Sequence, residues 1–140
     1  MVRINLVKPQ NLSDQHLIAE YNEILMLLGY VKKHPQRCEF QKEYCLGKGH
    51  ILFFKDKLLY LKKRHELLKE EMRKRGFKTR KSIDISEFPK SMRKDYSPDR
   101  KAISIIKKRL AEKLRKKKDF YRHYGEKKNQ EFFIKLLSKI

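Results

Sequence analysis

Apolar positions recur with a helical period through most of the chain. In DQHLIAEYNEILMLLG (14–29), Leu17, Ile18, Tyr21, Ile24, Leu25 and Leu28 follow the i, i+3, i+4, i+7 spacing of one helix face. Ser13 is placed to cap this helix and Gly29 to close it. A second, long helix is expected from about His50 to Arg75, stopping at Gly76, with Ile51, Phe54, Leu58, Leu61, Leu68 and Met72 turned inward. Ser97–Pro98 reads as the entry to a third helix that carries Ile103, Ile106, Leu110 and Leu114. A fourth, over 129–139, sets Phe132, Phe133, Leu136 and Leu137 on one side, the pattern of a helix that caps the core. Residues 78–96 read as irregular, with at most one short turn. The expected fold class is all-α: a compact helical bundle in one domain, 1–140, with 126–140 as a helical C-terminal extension.

Composition narrows the class of partner. The chain holds 37 Lys+Arg against 17 Asp+Glu in 140 residues, a formal charge of +20. Seven Tyr and eight Phe argue against disorder, while five Gly and four Pro are too few for an all-β fold with frequent tight turns. No apolar run is long enough to span a bilayer, and MVRINLVKPQ lacks the apolar stretch of a signal peptide. A cytoplasmic, nucleoid-associated protein with no membrane partner is therefore expected. Its charge points to a polyanion, nucleic acid first, with a ribosomal or histone-like packaging protein as the plain alternative.

That charge is unevenly spread. Residues 1–31 hold Arg3 and Lys8 against Asp14, Glu20 and Glu23, a local sum of −1, whereas 100–118 holds ten basic side chains and only Glu112 against them. At 100° per residue, with Tyr21 at the centre of the buried stripe, His16 and Glu23 share the opposite face of the first helix, flanked by Ala19, Asn22 and Met26. A carboxylate there repels phosphate unless it performs chemistry or holds a cation; the plain alternative is a solvated Glu bridged to a Lys. The chain also begins Met1-Val2, a pair from which Met1 is removable. An α-amine on Val2 titrates near 7.7–8.0, so part of it is neutral and nucleophilic at pH 7. Arg3 beside it lowers that value further.

The blocks VRINL, LSDQHLIAEYNE, LGKGHILFFKDKLLYLKKR, RGF at 75–77 and FYRHYG at 120–125, in this order and spacing, resemble the pyrimidine dimer DNA glycosylase family, the phage endonuclease V type. The resemblance runs from residue 2 to about 125. It implies an all-α enzyme whose N-terminal segment threads between helices to bring its α-amine to the DNA. Such enzymes release the 5′ base of a cyclobutane pyrimidine dimer and then cut the backbone by β-elimination through an imine. On this resemblance the nucleophile is the α-amine of Val2 and the essential carboxylate is Glu23. DNA contacts carry over to Arg3, Gln15, His16, Arg109, Lys113, Tyr121, Arg122 and His123, and Asn22 occupies a contact position. Double-stranded DNA with UV photoproducts or abasic sites is the implied substrate, bound by a monomer without a cofactor.

Three departures touch this reading. Val2 stands where the phage enzymes carry Thr, and both leave a primary amine. Asn22 and Met26 stand where the family has DNA-contacting arginines, and Phe120 and His123 replace a Trp and a Tyr. A non-catalytic nucleic-acid-binding relative, and a lyase confined to abasic sites, are the alternatives these changes leave open. His34, His50, His65 and His123 with Cys38 and Cys45 lack the close paired spacing of a zinc site, so no metal is expected. GKGH (47–50) lacks the spacing of a Walker phosphate loop, and the RKKK run at 115–118 reads first as a nonspecific phosphate patch.

Overall fold

The computed structural model describes residues 3–34, 42–47, 49–117 and 119–139. Met1, Val2, Cys38, Lys48 and Lys118 lie outside these described residues. Among the described residues five α-helices follow one another: α1 (Asp14–Lys33), α2 (Gly49–Phe54), α3 (Leu58–Lys74), α4 (Arg100–Lys116) and α5 (Gln130–Leu137). A two-residue hairpin, β1 (Arg122–His123) with β2 (Glu126–Lys127), lies between the last two. The fold is all-α apart from this ribbon.

Helix α1 begins as expected, with Ser13 Oγ accepting the His16 N–H at 3.1 Å. It does not end at Gly29 but runs to Lys33. Val31 continues the buried stripe of Leu17, Tyr21, Ile24 and Leu27, so packing carries the helix through the glycine. Lys32 and Lys33 then sit in the last turn, where the helix dipole favours cations. Each fully buried Leu or Ile of the stripe is worth about 1.5–3 kcal/mol.

The expected second helix is two. Residues 55–57 break it because their backbone is engaged elsewhere: Lys57 pairs with Arg93 as a β-bridge, and the Lys94 N–H donates to the Asp56 carbonyl at 3.1 Å. The partner segment belongs to the irregular 78–96 stretch, which holds two short turns rather than at most one: a turn at 86–87, closed by the Phe88 N–H on the Ile85 carbonyl at 3.1 Å, and a 3-10 turn at Lys90–Met92. Helix α4 starts at Arg100 rather than Ser97–Pro98, because the Asp99 carboxylate takes the capping role and accepts the Ala102 N–H at 2.8 Å. Asn129 caps α5 in the same way, and Phe133 and Leu137 are buried, so this helix covers the core as its pattern suggested.

The N-terminal segment runs through the interior. Ile4, Asn5, Leu6 and Val7 are all buried although they form no helix or strand. Their backbone polar groups must find other partners. The Ile4 N–H donates to His50 Nε2 at 2.8 Å, and the Ile4 carbonyl accepts the Tyr44 hydroxyl at 2.8 Å. The Val7 carbonyl accepts Arg64 at 2.6 Å. A tight turn at Leu6, with φ of 60°, closes on a bond from the Val7 N–H to the Asn5 carbonyl.

A buried ion pair locks this arrangement. Arg64 on α3 grips Glu20 on α1 with two parallel bonds, at 2.7 and 3.0 Å, while its third donor holds Val7. A second hub forms where α3 ends. The Arg75 side chain bonds Glu71 and Asp14 at 2.8 and 3.0 Å, donates to the Leu12 carbonyl, and lies over the Tyr124 ring. The Asp14 carboxylate in turn accepts the N–H groups of Tyr124 and Gly125, the two residues of the hairpin turn. Both turn residues have positive φ, 52° and 81°, the geometry of a tight two-residue hairpin loop. Gly125 adopts it freely, and these contacts hold Tyr124 there.

Candidate active site

The polar side of α1 is the site's floor. Glu23 and His16 lie on it two turns apart, but neither stands free in solvent as the helical wheel suggested. His16 is buried with its ring 4.7 Å from that of Tyr121, and Glu23 is half-buried. The reason is tertiary: the N-terminal segment and the stretch around Tyr121 fold over this side of the helix.

Four groups from three parts of the chain lie here under the charge of Arg3. Its guanidinium acts on Glu23, His16, Lys113 and Tyr121. Burial pushes the Glu23 carboxyl up to about 7, against the opposing pull of Arg3, whose backbone N–H also hydrogen-bonds it; the Glu20 carboxylate adds to the upward push. A carboxyl poised near neutrality can both accept and give a proton at working pH. His16 is driven the other way, to about 3, by burial first and then by Arg3 and Lys113, so its imidazole is neutral. Lys113 is lowered chiefly by Arg109, then by desolvation and Arg3. This is a cationic rim around one protonatable carboxyl.

The remaining sequence-derived positions separate into two groups. Arg109 and Lys113 share α4, with Arg109 also 3.4 Å from Glu112. Gln15 spends its amide on the backbone around Tyr121, donating to the Phe120 carbonyl at 2.9 Å and accepting the Arg122 N–H at 3.0 Å. It holds Tyr121 over His16. Arg122 is exposed and bonds the Gly125 carbonyl. His123 turns away from this cluster, its ring 5.2 Å from that of Phe132 on α5. Asn22 is exposed and donates back to the Ile18 carbonyl, and Met26 is 58% exposed.

The family comparison supplies what geometry alone does not. The model described as pyrimidine dimer DNA glycosylase matches residues 1–85, more than half of the chain. The chain belongs to that family. Within the pyrimidine dimer DNA glycosylase match lie Arg3, Gln15, His16, Asn22 and Glu23, together with α1, α2 and α3. Arg109, Lys113, Tyr121, Arg122 and His123 lie beyond it, so the FYRHYG block rests on the resemblance and on the packing of Tyr121 against His16.

Several supporting residues escaped sequence reading. Tyr44 and His50 fix Ile4, one residue after Arg3; because His50 Nε2 accepts from Ile4, its Nδ1 carries the proton donated to the Cys45 carbonyl at 2.8 Å. Glu20, Arg64, Asp14, Glu71 and Arg75 set the angle between α1, α3 and the hairpin. Their sequence signal is weak, since each is an ordinary charge on a helix until its partner is known. Among the described residues no three His, Cys, Asp or Glu side chains converge as metal ligands. No helix among them is long and apolar enough to cross a membrane.

Proposed function

We propose that this family member is a bifunctional enzyme, a glycosylase and an abasic-site lyase, acting on duplex DNA with cyclobutane pyrimidine dimers. The observation that carries the reading is the half-buried Glu23 carboxyl, held near pH 7 and hydrogen-bonded by the Arg3 backbone N–H. The Val2 amine is separated from that Arg3 nitrogen by one residue, at most ~3.6 Å of extended chain. Connectivity thus ties the nucleophile implied by the family to the neighbourhood of the carboxyl.

The chemistry runs in two stages. The neutral α-amine of Val2 attacks C1′ of the 5′ nucleotide as the C1′–N bond to the pyrimidine breaks, and the base takes up a proton. A proton then passes from the amine nitrogen to O4′ as the C1′–O4′ bond breaks, which opens the sugar ring and gives an imine at C1′. Removal of a 2′ proton drives β-elimination of the 3′ phosphate, and water hydrolyses the imine to free the enzyme. Ionised Glu23 stabilises the cationic sugar and can take the 2′ proton; protonated Glu23 can return one. Abasic DNA enters after base loss and is a substrate for the second stage. Arg3, Arg109, Lys113 and Arg122 serve as phosphate contacts, and Tyr121 with neutral His16 forms an aromatic surface beside the carboxyl.

Borohydride trapping on UV-irradiated and abasic duplexes, with incision measured in parallel, tests this. Trapped adducts on both substrates, lost in Glu23→Gln for the dimer, are expected. Tight, salt-sensitive binding with neither adduct nor incision contradicts it and identifies a non-catalytic relative, the reading that exposed, uncharged Asn22 and Met26 would favour.

A further inference from the structure

A groove lies on the far side of α4 from the candidate site. It has a volume of about 750 Å³ and runs between α4 and α5, the part of the chain beyond the family match. Its floor is apolar, built from Ile103, Ile134 and the buried Leu137. Arg100, Lys107 and Lys108 line it as well, and none of the three has an ion-pair partner among the described residues. Among the described residues Asp99 is the one carboxylate that reaches the groove, and it is occupied in capping α4.

At 100° per residue, positions 100, 104, 107 and 108 share one side of α4, roughly opposite the side that carries Arg109 and Lys116, with the buried Ile106 and Leu110 between them. One helix thus presents two separate cationic surfaces, and only one of them adjoins Glu23. Duplex DNA accounts for the first. It does not account for the second, because a phosphate backbone has nothing apolar to place on the floor. A bilayer surface is too broad and flat to fill a concavity of this size.

We propose that the groove docks a short acidic segment of a partner protein, one with apolar side chains spaced between its carboxylates. Its volume is that of a site for a few side chains. The apolar groups fill the space over Ile103, Ile134 and Leu137, and the carboxylates meet Arg100, Lys107 and Lys108. This is the charge complementarity that steers and selects a partner. The proposal stands apart from the glycosylase chemistry.

Fluorescence anisotropy of a labelled Asp-Asp-Leu-Asp-Phe-Phe peptide with the full-length protein tests it. Saturable binding is expected that persists in the presence of saturating undamaged duplex. Replacing Leu and Phe by Ser in the peptide should abolish it. Ser104→Trp, an uncharged change at an exposed lining position, should weaken peptide binding roughly tenfold while leaving duplex affinity unchanged; Lys107→Glu with Lys108→Glu should weaken it at least as much. Displacement of the peptide by duplex, equal binding of the Ser-substituted peptide, or indifference to Ser104→Trp overturns the proposal. Binding of phosphatidylglycerol vesicles that is sensitive to Ser104→Trp, with none of the peptide, overturns it in favour of a lipid surface.

Discussion

Glu23→Gln separates the electrostatics of the site from its chemistry, because its effect on stability needs no DNA. Burial raises the Glu23 carboxyl from 4.5 to about 7, so the folded protein binds this proton more tightly than the unfolded chain does. The sign follows: stability from this group is fully present below pH 4.5 and is lost as pH rises through 7. At 1.36 kcal/mol per pH unit, the ionised carboxyl costs roughly 3.4 kcal/mol if wholly screened from water. Its side chain is only half-buried, and solvent screening about halves that to ~1.5 kcal/mol. Gln has nearly the same shape and no charge. Urea unfolding of both proteins at pH 8.5 should therefore find Glu23→Gln more stable by ~1–2 kcal/mol, with most of the difference gone at pH 4.5. Using the difference between the two proteins cancels the other groups that titrate in this range, among them the buried His50, whose pKa is lowered. A Gln variant less stable than the parent at pH 8.5, or a gap independent of pH, refutes the placement of a strained carboxyl at this site.

Other consequences are more local. Arg64→Ala leaves the Glu20 charge buried without its partner and frees the Val7 carbonyl, so stability should fall by about 3–5 kcal/mol in urea unfolding. Gly29→Ala should add about 0.4–1 kcal/mol, since Gly29 is helical and exposed and an added Cβ meets nothing within 4 Å; a loss in Tm would mean that the helix does not continue through it. Met26→Arg places a cation on the exposed face of α1 next to Glu23, and should steepen the dependence of log K on log salt by about 0.9. An unchanged slope would set α1 away from the phosphate backbone.

What was legible in the sequence follows from how far each determinant reaches. Amphipathic stripes and caps act within a few residues, so α1, α4 and α5 and most of their inward positions could be read directly. The break between α2 and α3 could not, because Ile51, Phe54 and Leu58 keep helical spacing and the cause lies in a bridge to Arg93. The hairpin was hidden for the same reason: Tyr124 reaches a positive φ because Asp14, Glu71 and Arg75 receive it from distant parts of the chain. At the site, the helical wheel set Glu23 and His16 on one side of α1 but had no means of showing that the N-terminal segment and Tyr121 cover them. That cover changes their chemistry, since it is burial that moves the carboxyl up and the imidazole down. The roles of Arg3, Glu23 and the aromatic-basic block came from the resemblance; the family match over 1–85 shows the family and assigns no role to a residue.

The central claim is that the chain's own terminus is the nucleophile beside Glu23. Locating the covalent bond tests it most directly. The protein is reduced with borohydride on an abasic duplex and digested with protease, and the nucleotide-bearing peptide is sequenced by mass spectrometry. The account predicts the adduct on the α-nitrogen of Val2, in protein lacking Met1. An adduct on a lysine side chain, such as Lys113 at the rim, would contradict it.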